Sequence, residues 1–285
     1  MDLVLFHSPC NDGFAAALCA WSYFGSSARY EPVSYLTKRP DIEGATRVYL
    51  LDFCYPRDYL LEMRSKVEVI VLDHHKTNFD MVGDLDFCTF DMGRSGAMMA
   101  WDYFSALADK KIEEEDLGFA YQFLRKRFDD LRPLIEHIQD RDLYLNKLPK
   151  SREVFFALSS LPLDFSVWNG YELEELIKEG DFITRVVDRL VDSNIKHSYL
   201  TDWFEGYSGI PVVNSSISVY NTDVCRALLE KYPKAPFAGT YFRLVTGKYK
   251  WSLRSRGEVD VALIAEKFGG GGHKGASSFA SEIGG

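Results

Sequence analysis

Residues 69–77, VIVLDHHKT, place a run of apolar and β-branched side chains directly before an acid, two imidazoles and an amine. The apolar part extends back to Val67, and a similar run, RVYLLDF, occupies residues 47–53. A third run, DLVLF, lies at residues 2–6. Near-continuous apolar runs of this length are typical of strands in a parallel sheet that is covered on both faces.

Helical patterns separate these predicted strands. DGFAAALCAWSYFG at residues 12–25 has apolar residues at helical spacing and ends at a glycine, and PRDYLLEMRSK at 56–66 lies between the second and third runs. Strands that alternate with helices indicate an α/β fold. We therefore predict that the N-terminal domain, residues 1–190, is a doubly wound, mainly parallel sheet.

The pattern changes twice further along the chain. Amphipathic helices are predicted in the segments 95–107, 116–128 and 131–140. Residues 171–200 are long and amphipathic, which favours a helix that joins two domains, with a core-packed helix as the alternative. Strand-like and helical patterns then alternate, and they predict a smaller α/β domain at 191–285. These later patterns are IPVVNS at 210–215, PFAGTYFRLV at 236–245, KYKWSLRS at 248–255 and the helical VDVALIAEKFG at 259–269.

Composition narrows the class of protein. The 285 residues are 46% hydrophobic and 26% charged, as in ordinary globular proteins, and no apolar run is long enough to cross a membrane. The N-terminus lacks the basic start of a signal peptide, and the five cysteines contain no CxxC pair, so we expect a cytoplasmic location with reduced thiols. The net charge of −9 argues against binding of long nucleic acid, but it permits binding of a small anionic ligand at a site that holds metal.

Acids and imidazoles follow all three predicted N-terminal strands. The carboxyl ends of parallel strands meet at one edge of a sheet, about 5 Å apart, so these side chains are expected to converge. One aspartate at a strand end is more often a helix N-cap, but several carboxylates together would repel one another unless a cation lies among them. Oxygen-rich ligation with a few imidazoles favours Mn²⁺ or Mg²⁺ over Zn²⁺. The residues concerned are His7, Asp12, Asp52, Asp73, His74 and His75.

The motifs together resemble those of the DHH phosphoesterases. LDHHKT at 72–77, HSPCNDG at 7–13, Asp52 and QDRD at 139–142 are similar to the four motifs of that family. GGGGHKGAS at 269–277, with WSLRS at 251–255 before it, resembles the DHHA1 domain that accompanies them. The resemblance covers nearly the whole chain in the expected order.

This resemblance implies a centre of two metal ions, manganese in most cases and magnesium as the alternative. Asp52 would bridge the ions, Asp73 would support or join the cluster, and His75 would contact the scissile phosphate. The ligands implied by position are His7, Asp12, Asp52, His74 and Asp140.

The first motif departs from the family pattern, which has two acids after the histidine. Here only Asp12 is acidic, and Pro9, Cys10 or Asn11 takes the other place. Cys10, Asn11 or a water molecule would have to substitute as a ligand.

Two segments are predicted to hold phosphate. Arg94 and Ser95 lie at a predicted helix start, where free N–H groups favour anions, although Ser95 also suits an ordinary N-cap. Four successive glycines are costly in a regular element but let backbone N–H groups approach a ligand. The second segment, with the arginine that the family comparison adds, comprises Arg254, Gly270, Gly271, Gly272, His273 and Lys274.

The function that the resemblance implies is hydrolysis of linear dinucleotides, such as pGpG, or very short oligoribonucleotides to 5′-mononucleotides. The partner would be a short nucleotide substrate, with neither long nucleic acid nor membrane, and the chain would be a monomer or homodimer. Cyclic dinucleotides, the nucleoside bisphosphate pAp and inorganic polyphosphate remain alternative substrates. A non-catalytic nucleotide-binding protein is the alternative from another class.

Overall fold

A computed structural model describes residues 1–34, 38–115, 118–145, 147–216 and 220–282. The chain divides into two compact units, Met1–Ile183 and Thr184–Gly285. The helix that contains this division, α8, spans Leu173–Ile195. The sequence had placed the domain boundary at residues 190 and 191, which also falls inside this helix.

The first unit contains a five-stranded parallel sheet, which confirms the predicted α/β class. The strands lie in the order β2-β1-β3-β4-β5, and every neighbouring pair is parallel. The strands are β1 (Asp2–His7), β2 (Ala28–Val33), β3 (Arg47–Leu51), β4 (Glu68–Asp73) and β5 (Cys88–Phe90).

Helices pack on both faces of this sheet. Phe14, Leu18 and Phe104 form one apolar cluster with the strand residue Tyr49, whereas Leu60 packs in a second cluster with the alternate strand residues. This alternation follows from the strand geometry, because successive side chains point to opposite faces. The helices of the first unit that precede α8 are α1 (Asn11–Phe24), α2 (Arg57–Arg64), α3 (Lys76–Val82), α4 (Gly96–Glu115), α5 (Gly118–Asp142), α6 (Ser151–Ser160) and α7 (Phe165–Asn169).

Two of the predicted helices form one element. Residues 118–128 and 131–140 both lie in α5, which continues through Pro133. Residues 116 and 117, the start of the first predicted segment, lie outside the described residues. Because α5 ends at Asp142, the QDRD motif occupies the last turn of this helix.

Gly180 does not interrupt α8. A side-chain Cβ at this position would lie 2.1 Å from the backbone oxygen of Glu153, so only glycine lets α8 approach the start of α6 this closely. The glycine in the sequence pattern therefore reflects close packing within the first unit.

The second unit is also α/β, with a mixed six-stranded sheet in the order β10-β11-β9-β8-β7-β6. The pair β7–β8 is parallel and the others are antiparallel. Trp251, Phe204 and Phe237 are fully buried in its core. Its elements are β6 (Tyr199–Thr201), β7 (Ile210–Asn214), α9 (Asn221–Lys231), β8 (Phe237–Arg243), β9 (Tyr249–Ser255), α10 (Val261–Glu266), β10 (Gly271–His273) and β11 (Ala276–Ser281).

Across the ranges described, none of the helices combines the length and apolar character that a membrane crossing requires.

Candidate metal centre

The order of the first sheet creates a crevice beside β1. From β1 the chain first goes to β2 on one side and later to β3 on the other, so the connections diverge between β1 and β3. Ligands of open α/β sheets bind beyond the carboxyl ends of the strands at such a switch point. His7 ends β1 and Asp52 directly follows β3, so two predicted ligands lie at this position.

The loop after β1 brings Asp12 back toward the strand end. Asp12 lies in the first turn of α1 and is only 2% exposed. A Cβ on its neighbour Gly13 would lie 2.3 Å from the backbone oxygen of His7. Glycine is therefore needed for α1 to begin this close to the end of β1.

Asp52 occupies a strained turn. Its φ is 55°, in the left-handed region that non-glycine residues rarely adopt, while its N–H donates to Leu72 O at 2.9 Å. A Cβ on Gly96, the first residue of α4, would lie 2.5 Å from the Cβ of Asp52. Strain of this kind persists where the surrounding structure enforces it, and here it fixes the direction of a buried carboxylate.

The two carboxylate oxygens of Asp52 face different histidines. Oδ2 lies 3.5 Å from Nδ1 of His7, and Oδ1 lies 3.1 Å from Nε2 of His74. This carboxylate therefore links two groups of potential ligands.

A second group surrounds the same nitrogen of His74. Its Nε2 lies 3.6 Å from Oδ2 of Asp12 and 3.6 Å from Oδ2 of Asp142. Asp142 is the last residue of α5, and its side chain is 30% exposed, so this side of the group is reached from solvent. We refer to His7, Asp12, Asp52, His74 and Asp142 as the carboxyl-edge cluster.

Among the described residues, the structure places the predicted ligand Asp140 outside the groups of potential ligand atoms. This residue is 3% exposed, and its Oδ1 accepts a hydrogen bond of 2.7 Å from the N–H of Lys147. Its backbone oxygen also accepts the N–H of Leu145. Asp140 thus holds the loop after α5, whereas Asp142 supplies the carboxylate beside His74.

Asp73 holds the turn that presents the two histidines. It is fully buried, and its Oδ1 accepts hydrogen bonds from the N–H of His74 at 2.7 Å, from the N–H of His75 at 3.2 Å and from the His75 ring at 2.7 Å. Asn78 donates to its other oxygen. With both oxygens engaged in this way, Asp73 acts as a positioning residue for the two imidazoles.

The electrostatics of the cluster match a site for cations. Burial raises the pKa of Asp12, and the nearby charges of Asp142 and Asp52 raise it further. Burial also raises the pKa of Asp142. Burial opposes ionisation of Asp52 too, but hydrogen bonds from His7 and His74 hold the pKa of this carboxyl far below its usual range. Neighbouring carboxylates that oppose one another's charge are stabilised when a divalent cation lies among them.

The two histidines of the turn favour the charged form. Burial lowers the pKa of His74, but the hydrogen bond to Asp52 and the charges of the three cluster carboxylates raise it to about 10. Burial likewise opposes the charge of His75, while Asp73 raises the pKa of this imidazole to about 9. At neutral pH and without a cation, these imidazoles balance the acids, so a bound cation and the ring protons compete for the same site.

Among the described residues of the first unit alone, the donor atoms form three groups that could hold a metal ion, and two of these groups share Asp52. Within each group the potential ligand atoms lie within 4.8 Å of one another. The group of Asp12, His74 and Asp142 has two carboxylates and one imidazole, which fit Mn²⁺ or Mg²⁺. The group of His7, Cys10 and Asp52 has one imidazole, one thiol and one carboxylate. The groups are His7, Cys10 and Asp52; Asp12, His74 and Asp142; and Asp52, Asp73 and His75.

The start of α4 is arranged differently from the predicted phosphate cradle. Ser95 is fully buried and caps the helix by accepting the N–H of Met98, and Arg94 pairs with Asp102 at 3.1 Å on the exposed side. The N–H groups of Gly96 and Ala97 donate to the carboxylate of Asp12, at 2.7 and 3.0 Å. The anion at this helix N-terminus is therefore part of the protein, and these residues position Asp12.

The predicted glycine cradle is partly a strand. Gly271, Gly272 and His273 form β10, which pairs with β11 through the Lys274–Gly275 turn, and we call these two strands and their turn the glycine hairpin. A Cβ on Gly272 would lie 2.5 Å from the backbone oxygen of Ala276. Close approach of the two strands thus accounts for this glycine without a ligand.

Glycine is also required just before the hairpin. A Cβ on Gly270 would lie 2.2 Å from the backbone oxygen of Ser278 on β11. The expectation that the glycine run fits poorly in a regular element is wrong for Gly271 and Gly272, which lie in β10.

Two predicted basic ligands lie on one face of the second sheet. Ala276 of β11 pairs with His273 on one side and with Arg254 of β9 on the other. Residues directly opposite in antiparallel strands share a face, so the side chains of His273 and Arg254 flank the small Ala276. Arg254 is held there by Nε donation to Thr222 at 3.0 Å, and the backbone oxygen of Lys274 accepts the N–H of Val261.

The predicted ligand set left out two members of these groups, Cys10 and Asp142. Asp142 belongs to the QDRD motif, two residues after Asp140. Side chains two positions apart on a helix point in different directions, so the spacing indicated that only one of these two acids could face the cluster. Cys10 was one of several residues considered for the missing acid, and only the fold separates it from its neighbours.

Comparisons with known proteins agree with the two-unit α/β architecture. No family model matches the chain. The chain is 27% identical over 321 aligned residues to the uncharacterized protein R106 of Acanthamoeba polyphaga mimivirus, covering 98% of this chain and 67% of that protein.

Among solved structures, an exopolyphosphatase-related protein from Bacteroides fragilis matches with a TM-score of 0.56 at 16% identity, over 99% of this chain and 87% of that one. The pGpG-specific phosphodiesterase PggH from Vibrio cholerae matches with a TM-score of 0.44 at 14% identity, over 99% and 93% of the two chains. The chain therefore shares its fold with the Bacteroides fragilis protein.

Proposed function

We propose that the chain is a metal-dependent phosphodiesterase that cleaves linear dinucleotides, such as pGpG, or very short oligoribonucleotides to 5′-mononucleotides. The observation that carries this proposal is the orientation of Asp52. One of its oxygens faces His7 and the other faces His74, so a single buried carboxylate joins two groups of ligand atoms. Pairs of cations held in this way are typical of enzymes that displace groups at phosphorus.

The residues of the carboxyl-edge cluster would have different roles in such a reaction. Divalent cations, when bound, supply a hydroxide at neutral pH and neutralise charge on the phosphate. Asp52 and His74 would hold them, with His7 on one side and with Asp12 and Asp142 on the other. Asp12 is itself fixed by two backbone N–H groups of α4, so it needs little reorganisation when a cation binds.

His75 is suited to contact the reacting phosphate. Asp73 bonds to its Nδ1 and favours the charged ring, which places a donor at Nε2 on the far side of the imidazole. A charged donor aimed at a developing negative charge stabilises a transition state more than a ground state. We assign His75 this role in the proposed reaction.

Charge favours a short substrate. The net charge is −9, and the groups beside Asp52 that carry positive charge are imidazoles held by acids. A long nucleic acid gains its affinity from many Lys or Arg contacts with successive phosphates. One phosphodiester within the carboxyl-edge cluster is compatible with this charge.

The fold offers a second candidate among phosphohydrolases. The Bacteroides fragilis protein that shares the fold is described as exopolyphosphatase-related, so inorganic polyphosphate belongs in the same substrate panel. The substrate panel also includes cyclic dinucleotides and pAp. A nucleotide-binding protein without turnover would bind members of the panel and release no product.

The test is hydrolysis by the purified chain with Mn²⁺, Mg²⁺ or Zn²⁺ and 5′-labelled oligoribonucleotides of different lengths. We expect dinucleotides to be consumed fastest and 5′-mononucleotides to appear. Asp52→Ala should lower kcat/KM at least about 10³-fold, because metal assistance supplies several kcal/mol and each 1.4 kcal/mol is about tenfold in rate.

The control is Asp84→Ala. Asp84 is an exposed acid that pairs with Arg57 on the surface, and such pairs contribute little to stability. This variant should keep the full rate. An Asp52→Ala protein as active as the Asp84→Ala protein, or a preference for polyphosphate over every nucleotide, would contradict the proposal.

A further inference from the structure

Cys10 occupies a position where its thiol has no structural task in capping α1. It is the N-cap residue of α1, where Ser, Thr, Asp and Asn are preferred because their side chains accept a backbone N–H. Within the described residues, the Cys10 side chain makes no such capping bond. Its sulfur lies instead in one group with His7 and Asp52, with all three ligand atoms within 4.8 Å of one another.

The neighbouring Asn11 is committed elsewhere. Its side-chain amide donates to the backbone oxygen of Phe155 at 3.2 Å and to the hydroxyl of Ser159 at 3.0 Å. These bonds tie Asn11 to α6, so the structure leaves Cys10 as the residue of this loop that faces His7 and Asp52.

Other cysteines show what a purely structural thiol does in this protein. Cys19, Cys54 and Cys225 are buried, and each donates its S–H to a backbone carbonyl, at 3.8, 3.3 and 4.0 Å. They behave as small apolar residues. Cys10 differs because the groups around its sulfur are an imidazole and a carboxylate, and both of these side-chain types commonly bind metal ions.

We propose that Cys10 is a metal ligand and that the two sides of Asp52 select different cations. The imidazole, thiolate and carboxylate of His7, Cys10 and Asp52 form a set that favours Zn²⁺, Co²⁺ or Fe²⁺. The two carboxylates and one imidazole of Asp12, His74 and Asp142 favour Mn²⁺ or Mg²⁺. On coordination the Cys10 thiol releases its proton to solvent, and the sulfur–metal bond replaces the S–H bond.

This inference rests on the proposed metal-dependent function, but its test does not measure hydrolysis. The metal-free full chain is titrated with Co²⁺ without oxygen, and the thiolate-to-cobalt charge-transfer absorption in the near ultraviolet is recorded. We expect the band in the wild-type protein and its loss in Cys10→Ser and in Cys10→Asp. Cys88→Ser is the matched control, because Cys88 is also partly buried but lies outside the three ligand groups, and it should keep the band.

Elemental analysis after dialysis against equal Mn²⁺ and Zn²⁺ gives a second readout. Losing even an outer-shell partner lowers metal affinity about 10- to 100-fold, so Cys10→Ser should lower Zn²⁺ affinity at least that much. Cys10→Asp should replace the bound Zn²⁺ by Mn²⁺ and keep the total metal content. Cys10→Ser and Cys10→Asp differ in size and charge, so a folding defect specific to one of these variants would not appear in the other.

The outcomes separate this inference from the proposed function. A wild-type protein without the band, or a Cys10→Ser protein that retains it, overturns the assignment of Cys10 even if hydrolysis proceeds. A Cys10-dependent band in a protein that hydrolyses nothing supports the assignment and contradicts the proposed function.

Discussion

The carboxyl-edge cluster and the glycine hairpin were both expected to bind ligand, but they are built in opposite ways. In the cluster, strand ends and a helix N-terminus force charged side chains together, at 2% exposure for Asp12, Asp52 and His74. In the hairpin, two strands approach so closely that glycine is required, and the basic side chains remain partly exposed. Carboxylates that the fold holds close together despite their repulsion indicate a bound ligand. The glycines of the hairpin, in contrast, are already explained by the close approach of its two strands.

The largest expected effect on metal affinity distinguishes the two acids at the end of α5. Asp142→Ala should lower Mn²⁺ affinity by about 100-fold, the upper end of what loss of an outer-shell partner causes, because Asp142 lies directly against His74. Asp140→Ala should bind Mn²⁺ normally but lower the free energy of unfolding by about 1–3 kcal/mol, since the Lys147 N–H loses a partly buried hydrogen bond to a carboxylate.

Calorimetric titration with Mn²⁺ and thermal unfolding of both variants provide the measurement. If Asp140→Ala loses the metal and Asp142→Ala keeps it, the assignment drawn from the structure is wrong and the one drawn from the sequence is right.

The second effect concerns the hairpin. Gly272 has a φ of 146°, and a Cβ there would lie 2.5 Å from Ala276 O, so Gly272→Ala should destabilise the second unit by about 1–3 kcal/mol. Gly275→Ala is the control, because a Cβ there meets nothing within 4 Å. His273→Ala should raise KM with little change in kcat.

Denaturant unfolding and steady-state kinetics distinguish these roles. Should Gly272→Ala fold as stably as Gly275→Ala and lose only substrate affinity, the glycine run would be a ligand cradle and not a close-packed hairpin.

The smallest effect is the pH dependence of the metal-free chain. The pKa of His75 is raised from 6.5 to about 9 in the folded state, so the stability it contributes is complete below pH 6.5 and is lost as the pH rises toward 9. The pKa of its partner Asp73 is lowered from 3.8, so that contribution is present above pH 3.8 and is lost on acidification.

Comparing the Tm of wild type and His75→Asn across this range gives the test. We expect the difference between the two proteins to be largest near pH 5–6 and to shrink above pH 9. A difference that grows from pH 6 to 9 would mean that the Asp73–His75 pair does not favour the charged ring.

Much of the first sheet could be predicted because buried parallel strands are continuous apolar runs. β1, β3 and β4 were found this way, and with them the edge where His7, Asp52 and His74 meet. The edge strands β2 and β5 were missed. β2 carries partly exposed residues and Pro32, and β5 has only three residues, so neither shows the apolar signal.

The ligand set was predictable in part for the same reason. A strand end fixes where a residue lies, so the acids after β1 and β3 were placed by topology alone. The end of α5 depends on how a long helix packs, and a shift of two residues there exchanges Asp140 for Asp142. That Asp12 would occupy the N-terminus of α4 could not be read from the sequence, because the two segments are more than eighty residues apart.

The most direct test of the account is anomalous diffraction at the manganese edge from crystals of the chain grown with Mn²⁺. We predict a peak at coordinating distance, about 2.0–2.6 Å, from Oδ1 of Asp52 and Nε2 of His74, with Asp12 and Asp142 completing its ligands. A fully occupied manganese site elsewhere, with Asp52 still bonded only to its histidines, would contradict the claim that this carboxylate is the centre of the site.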